Sequence, residues 1–435
     1  LNRIVLDVDI KRCGYRDGFE LKNISFRIGE GDLLLITGPS GSGKTTLIRA
    51  ITGTIEASGG YIEGRITIGG REISSLNPSE VYRVISYIPQ EPWYAIIGHS
   101  IRAEICYSLS LAGRICTSED FAPLSFTKLI DRLTYTLSAG EAQRLLWLES
   151  ILLGTKVLVM DEPLVYLDEE ARRVVKHYVR LALNKGVAVV LVDHDPLEWK
   201  PLVSHLLVLE GGRVKYFGDW RDSVIPVHKL PSLKKGREGE TIVSFKNVWF
   251  KYPGGDYVLK GFTTEFEKHV ITIITGPNGA GKTTILKLGA GLLNPSKGVV
   301  ERRGLFTYIP ENPLLYFTMP TPREELLASA RGDENKVLEV AEIFGLKEIL
   351  DRPLARLSSG ERRRTAIASA YLAGYDGYFI DEPTGGLDSE SASKVVSALQ
   401  LLVDEGKSVV IATHDPRILS VSNENTRKIE LHKVS

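Results

Sequence analysis

Two octapeptides carry the residue types needed to hold a polyphosphate: Gly38-Pro39-Ser40-Gly41-Ser42-Gly43-Lys44-Thr45 and Gly276-Pro277-Asn278-Gly279-Ala280-Gly281-Lys282-Thr283. Their glycines let a loop curl until backbone N–H groups converge on phosphate oxygens. Each loop follows a short apolar run, residues 33–37 and 270–275, and precedes a helix-like stretch. That context adds the positive partial charge of a helix N-terminus to the loop. Lys44 and Lys282 are then expected to reach the β- and γ-phosphates, and Thr45 and Thr283 to hold Mg²⁺. Gly38, Ser40, Gly41, Gly43 and Thr46 in the first loop complete the expected nucleotide contacts, as do Gly276, Asn278, Gly279, Gly281 and Thr284 in the second.

The rest of the chemistry-bearing set is also duplicated, in one order. Tyr87-Ile88-Pro89-Gln90, Leu137-Ser138-Ala139-Gly140-Glu141, Met160-Asp161-Glu162-Pro163, Leu167-Asp168 and Asp193-His194-Asp195 follow the first loop. Tyr308-Ile309-Pro310-Glu311, Leu357-Ser358-Ser359-Gly360-Glu361, Ile380-Asp381-Glu382-Pro383, Leu387-Asp388 and Thr413-His414-Asp415 follow the second. The step from Ser138 to Glu162 equals that from Ser358 to Glu382, and the step from Glu162 to His194 equals that from Glu382 to His414. Only the stretch between Lys282 and Glu311 is shorter than its counterpart between Lys44 and Gln90, by about one hairpin's worth of chain.

This set resembles the ATP-binding cassette (ABC) ATPases over nearly the whole chain, and the Leu-Ser-x-Gly-Glu signature separates that family from other P-loop proteins. The resemblance implies an ATPase using ATP and Mg²⁺. Asp161 and Asp381 would hold the metal together with Thr45, Gln90, Thr283 and Glu311. Glu162 and Glu382 would polarise the attacking water, and His194 and His414 would fix its geometry on the γ-phosphate. Tyr15 and Tyr252 match the family's adenine-stacking aromatic, with a core role as the competing reading. Asp168 and Asp388 match the D-loop. The resemblance further implies head-to-tail cassettes, so that Ser138 and Gly140 serve the Lys282 nucleotide while Ser358 and Gly360 serve the Lys44 nucleotide. One position departs from the pattern: the Q-loop glutamine Gln90 becomes Glu311 in the second half.

The elements that must position these residues are strands and helices in alternation, which predicts α/β: two tandem P-loop domains, each a mainly parallel sheet with a small antiparallel β subdomain and a helical subdomain. Residues 157–160, 187–192, 378–380 and 408–413 read as buried central strands, whose C-terminal ends carry the acidic pairs and histidines. The predicted domains are 1–221 and 241–435. Between them, 222–240 reads as a linker, with Pro226, Pro231 and the basic run Lys234-Lys235-Gly236-Arg237. At 435 residues with 43% hydrophobic and 25% charged content, each half is long enough to bury its own core. The formal net charge is zero, so composition suggests no general affinity for nucleic acid or anionic lipid. Cys13, Cys106 and Cys116 have no metal-ligand spacing, and their odd number argues for free thiols in a reducing cytosol. No apolar run reaches the ~20 residues that span a bilayer, and the first residues lack a signal-peptide pattern. The expectation is a soluble, cytoplasmic chain held on the inner face of the membrane through partners.

The segments after the Q-loops, from Gly98-His99-Ser100-Ile101 and from Pro320-Thr321-Pro322-Arg323, are similar to those of energy-coupling factor and cobalt-type importers. That similarity implies a T-type membrane protein and a substrate-binding membrane protein as partners, no nucleic acid, and vitamins, vitamin precursors, cobalt or nickel as cargo. The competing class is a soluble twin-cassette ATPase acting on ribosomes or nucleic acid. Three cysteines are too few for the iron–sulfur domain of the ribosome-recycling type.

Overall fold

A computed structural model describes residues 3–16, 18–90, 92–121, 130–137, 139–165, 167, 169–225, 230–233, 239–421 and 426–432. The chain forms two compact units, Leu1–Val227 and His228–Ser435.

The first unit runs β1 (Ile4–Tyr15), β2 (Glu20–Gly29), β3 (Leu33–Thr37), α1 (Lys44–Ile51), β4 (Gly60–Ile68), β5 (Arg71–Glu72), α2 (Pro78–Val84), β6 (Ile85–Ile88), α3 (Ile101–Leu111), α4 (Ala139–Leu153), β7 (Val157–Asp161), α5 (Glu169–Asn184), β8 (Ala188–Val192), β9 (His205–Glu210) and β10 (Arg213–Gly218). Its six-stranded sheet has the order β10-β9-β3-β8-β7-β6, parallel from β9 to β6. An antiparallel sheet, β2-β1-β4-β5, packs on it through a shared core that includes Ile10, Ile24, Leu47 and Val190. Every residue of β3 and β8 is buried, because the sheet is covered on both faces. The β7–β8 register pairs Asp161 with Val192, so Glu162 and His194 leave the sheet from neighbouring strand ends.

The second unit repeats the plan with β11 (Thr241–Lys251), β12 (Tyr257–Glu267), β13 (Ile271–Thr275), α6 (Lys282–Gly289), β14 (Lys297–Arg302), β15 (Phe306–Ile309), α7 (Pro322–Ser329), α8 (Glu334–Ile343), α9 (Ser359–Ala373), β16 (Gly377–Asp381), α10 (Ser389–Asp404), β17 (Ser408–Ala412), α11 (Pro416–Val421) and β18 (Arg427–Glu430). Its five-stranded sheet, β15-β16-β17-β13-β18, is wholly parallel. The predicted central strands are thus present in both units, within a residue or two of their expected ends.

Where the second unit passes almost directly from β14 to β15, the first has β5, a single helical turn and α2. Two expectations change. Cys106 and Cys116 are not free thiols. Residues after α3 turn back, the two Cα atoms lie 5.0 Å apart, and the sulfurs are bonded. An odd cysteine count leaves one thiol over but does not prevent a pair, and Cys13 is that remaining buried thiol. The interval 222–240 is not all loose connection: Ile225 joins the core of the first unit, and Leu230 and Leu233 join that of the second. The basic run 234–237 lies outside the described residues. Among the described residues no helix is long and apolar enough to cross a membrane.

Candidate active sites

In each unit four parallel strands end at one edge of the sheet. The P-loop strand lies beside the histidine strand, then the acidic strand, then the strand leading to Gln90 or Glu311. The parallel arrangement alone puts all four loops at the same end.

The loop preceding α1 is shaped by Gly38, whose φ is 148°; a Cβ there would lie 2.2 Å from the Leu209 carbonyl oxygen. Gly276 repeats this, with φ 140° and the Leu431 oxygen 2.4 Å away. Gly43 and Gly281, also left-handed, cap α1 and α6. Lys44 Nζ donates to the carbonyls of Gly38 at 2.7 Å and Pro39 at 3.1 Å; Lys282 Nζ donates to those of Gly276 at 2.8 Å and Pro277 at 3.2 Å. Each ammonium is therefore held across its loop. Nothing lies within 4 Å of a Cβ placed at Gly41 or Gly279, and Ser40 and Asn278 are exposed, so both loops are open on the side where phosphate would bind. Thr46 and Thr284 are buried beneath the loops.

The acidic strands deliver buried carboxyls. Thr283 Oγ1 donates to Asp381 Oδ2 at 2.6 Å, and the Tyr308 hydroxyl reaches the same oxygen at 3.3 Å. Burial, and the neighbouring Glu162, push Asp161 up to about 7; burial also raises Asp381. Hydroxyl and carboxylate oxygens of this kind suit a hard divalent cation, so the residues fit Mg²⁺. Bound there, Mg²⁺ would supply charge neutralisation at the phosphates. Glu162 and Glu382 both take positive φ, 47° and 43°, a conformation rare for a residue with a Cβ. Strain repeated at equivalent positions of two units marks a functional constraint.

The surroundings of the two glutamates differ. Glu162 Oε2 accepts from Gln90 Nε2 at 2.9 Å, and its Oε1 lies 2.8 Å from His194 Nε2. Glu382 instead accepts from the Thr413 hydroxyl at 2.9 Å and the His414 backbone N–H at 3.0 Å. The His414 ring turns to Asn278 Oδ1, 3.1 Å away. Glu311 cannot donate as Gln90 does once it is ionised. Burial, then Asp381, push Glu311 up to about 7; burial, then Asp381 and less strongly Glu311, push Glu382 up to about 8. The Arg363 guanidinium partly offsets the charge on Glu311.

A pH dependence follows. The folded-state value of Glu382 lies above that of an unfolded glutamate, so its contribution to stability is full below about pH 4.3 and is lost as pH rises through about 8. In nucleotide-free protein treated with EDTA, Glu382→Gln is expected to lose less thermal stability than the parent between pH 6 and pH 8.5. Parallel melting curves for the two proteins would contradict this.

Other expected residues have these positions. The Tyr15 hydroxyl accepts from Arg49 Nη1 at 2.5 Å, and the Tyr252 hydroxyl lies 3.2 Å from Thr284 Oγ1, so both tyrosines sit beside their P-loop helices. Tyr252 is 41% exposed, its ring edge-on to Phe250. Ser358 caps α9 in a capping box: its hydroxyl accepts from Glu361 N–H, and Glu361 accepts from Ser358 N–H at 2.7 Å. The signature glutamate therefore shapes the helix N-terminus. Gly360 packs tightly, since a Cβ there would meet Ser391 Cβ at 2.9 Å. Asp388 caps α10, accepting from Ser391 N–H at 2.6 Å. Gly140 lies in the first turn of α4, while Ser138 and Asp168 fall outside the described residues.

Sequence reasoning missed several neighbours. Asp193, buried and pushed up to about 6 mainly by that burial, accepts from Trp199 Nε1 at 2.7 Å. Thr413 takes the corresponding place in the second unit. Tyr308, whose hydroxyl reaches Asp381, was visible only as part of a Tyr-Ile-Pro string. Arg363 stands in α9 where α4 has Gln143, a change from neutral to charged that parallels Gln90 to Glu311.

Fold and sites together define a twin P-loop ATPase. The chain belongs to the ABC transporter family, which it matches over residues 21–165 and 259–385. Among its relatives is a Methanosarcina mazei protein named "Putative ABC transporter ATP-binding protein", 28% identical over 98% of this chain and 94% of that one. Another is the Bacillus subtilis "Putative HMP/thiamine import ATP-binding protein YkoD", 24% identical over 91% of this chain and 84% of its own length. The solved structure of "RNase-L Inhibitor" superposes with a TM-score of 0.66 at 23% identity, covering 98% of this chain and 90% of that one. An archaeal ribosome recycling factor, aABCE1, superposes at 0.65 with 24% identity, over 97% and 89%. At such identities the structural likeness shows the fold alone.

Proposed function

We propose that the chain is the ATP-hydrolysing subunit of a membrane importer of the energy-coupling factor type, docked on the membrane through T-type and substrate-binding partners. The observation that carries this reading is a pair of apolar patches. Just after Gln90, Trp93 is 46% and Ile97 75% exposed; just after Glu311, Leu315 is 78% and Met319 41% exposed. Exposed apolar side chains at equivalent places in two units suit paired apolar partner segments. The name of the B. subtilis relative, an HMP/thiamine import protein, agrees with a vitamin-type cargo. The proposal includes composite sites, each P-loop working with the signature of the other unit.

Hydrolysis is assigned to this chain's own groups. The P-loop amides and Lys44 or Lys282 bind and orient the phosphates. Glu162 or Glu382 accepts hydrogen bonding from the attacking water, and His194 or His414 steadies that geometry.

A second reading, a soluble ATPase acting on ribosomes, draws on the likeness to the recycling factor's fold. Native membranes distinguish the two. Trp93→Glu combined with Leu315→Glu is expected to release the chain from membranes and from a co-purifying polytopic protein while ATP binding by the isolated chain persists. Recovery with ribosomal proteins and no polytopic protein would favour the second reading.

A further inference from the structure

In both units an arginine joins the turn after the histidine to the loop before Asp168 or Asp388, and the two arginines stand at non-equivalent positions. In the second unit Arg417, in the first turn of α11, donates from Nη1 to the Leu387 carbonyl at 2.9 Å and from Nη2 to the Thr384 carbonyl at 3.3 Å. Asp415 fixes the same guanidinium, with Oδ2 2.8 Å from Nη2 and Oδ1 3.0 Å from Nε. The buried Asp415 also accepts from the Thr384 hydroxyl at 2.6 Å. A fork held on both sides in this way has little freedom to move.

In the first unit the counterpart of Arg417 is Leu197, which is 54% exposed, and that of Thr384 is Leu164. The Leu167 carbonyl, counterpart of that of Leu387, is nevertheless held by an arginine. Arg172 of α5 donates to it from Nε at 3.0 Å and lies 3.4 Å from Glu198, just beyond His194. Ala392 and Ile418 occupy those two positions in the second unit. One contact is therefore made twice with different side chains: an arginine between the leucine carbonyl and a carboxylate of the histidine turn. Packing of either side chain for its own sake does not require that coincidence.

The contact in the second unit has defined ends. Glu382 accepts from the Thr413 hydroxyl, which accepts from Asp415 N–H at 3.0 Å. At the other end, Leu387 Cδ2 lies 3.7 Å from a Cβ placed at the signature Gly360, and Asp388 caps α10. Hydrogen bonds thus run from the glutamate of the Lys282 site to the backbone beside the signature glycine.

We propose that Arg417 and Arg172 are positioning residues, each tying the loop before Asp388 or Asp168 to the histidine turn of its own unit. Which nucleotide feels them rests on the composite-site reading proposed above. There Ser358 and Gly360 serve the Lys44 nucleotide, so Arg417 acts on the Lys44 site and Arg172 on the Lys282 site.

Site-resolved turnover of the purified full chain tests this. Glu382→Gln isolates the Lys44 site and Glu162→Gln the Lys282 site. In the first background Arg417→Ala is expected to lower kcat by about ten- to hundredfold, the scale of a small misplacement far from the chemistry. KM for ATP should stay unchanged, because the P-loops are untouched. Arg417→Lys keeps a charge beside Asp415 but cannot donate to both carbonyls at once, so it should lose nearly as much; it carries the test if Arg417→Ala does not fold. Arg172→Ala should slow the Lys282 site, and adding Leu197→Arg should restore most of that loss by supplying a guanidinium from the other element. Unchanged kcat in the arginine variants, or an equal loss at both sites that follows the folded fraction in melting curves, overturns the proposal. No recovery with Leu197→Arg assigns Arg172 to packing of α5 and overturns its half. A loss confined to the P-loop site of the arginine's own unit upholds the positioning role and overturns the composite reading instead.

Discussion

Glu162→Gln or Glu382→Gln is expected to slow turnover at its own site by about 10²- to 10⁴-fold, the range for removing a positioned general base. The two carboxyls follow directly on Asp161 and Asp381, leave neighbouring strand ends with the histidines, and share a positive φ while buried. Glutamine keeps the shape and a hydrogen-bonding carbonyl but loses the charge that polarises water. Binding should survive, because the P-loops and their lysines are untouched. Each single variant then reports the turnover of the remaining site, and the double variant should retain unhydrolysed ATP, seen as bound nucleotide after gel filtration and a raised melting temperature. Single-variant rates equal to the parent's would remove that glutamate from the catalytic set.

The second expected result is an inequality between the sites, read in those same backgrounds. Gln90 donates a hydrogen bond to Glu162. Glu311 brings a second carboxyl toward Glu382 instead, and the pair is pushed up to about 7 and about 8. A general base works only when ionised, and each pKa unit above the working pH cuts the ionised fraction about tenfold. Turnover at the Lys282 site should therefore rise more steeply between pH 6.5 and 8.5 than turnover at the Lys44 site, and should depend more on Mg²⁺, whose charge offsets the extra carboxylate. Glu311→Gln should move the profile of that site toward acid and raise its rate at pH 7 several-fold. Gln90→Glu should do the reverse at the other site. Superimposable pH and Mg²⁺ profiles, unmoved by Glu311→Gln, would show the exchange to be neutral.

Both results depend on side-chain partners, and these were only partly legible in the sequence. Gln90 and Glu311 announce themselves as a substitution within a duplicated string. The consequence depends on what each faces. Thr413 replaces Asp193 beside the histidine, which removes a carboxyl, while Arg363 replaces Gln143 in the signature helix and Glu311 replaces Gln90, which add one charge of each sign. No single substitution in that group has a meaning until the others are placed around it. The capping box at Ser358 is the opposite case: the Ser-x-x-Glu spacing is local, and the helix start it implies is the one observed.

The sequence by itself determined the ATPase class, the duplication, the P-loops, the acidic pairs and the buried central strands. These rest on short-range rules: glycine freedom in a tight loop, apolar runs of strand length, and fixed spacing along one chain. Tertiary structure alone decided which groups meet across elements. It directs the His194 ring to Glu162 but the His414 ring to Asn278. It closes Cys106 onto Cys116, builds α2 into the longer stretch of the first unit, and leaves one oxygen of the buried Glu149 without a hydrogen-bond partner among the described residues. Hydrogen bonds and charge coupling depend on separations of a few ångströms between residues distant along the chain, and only packing sets those separations.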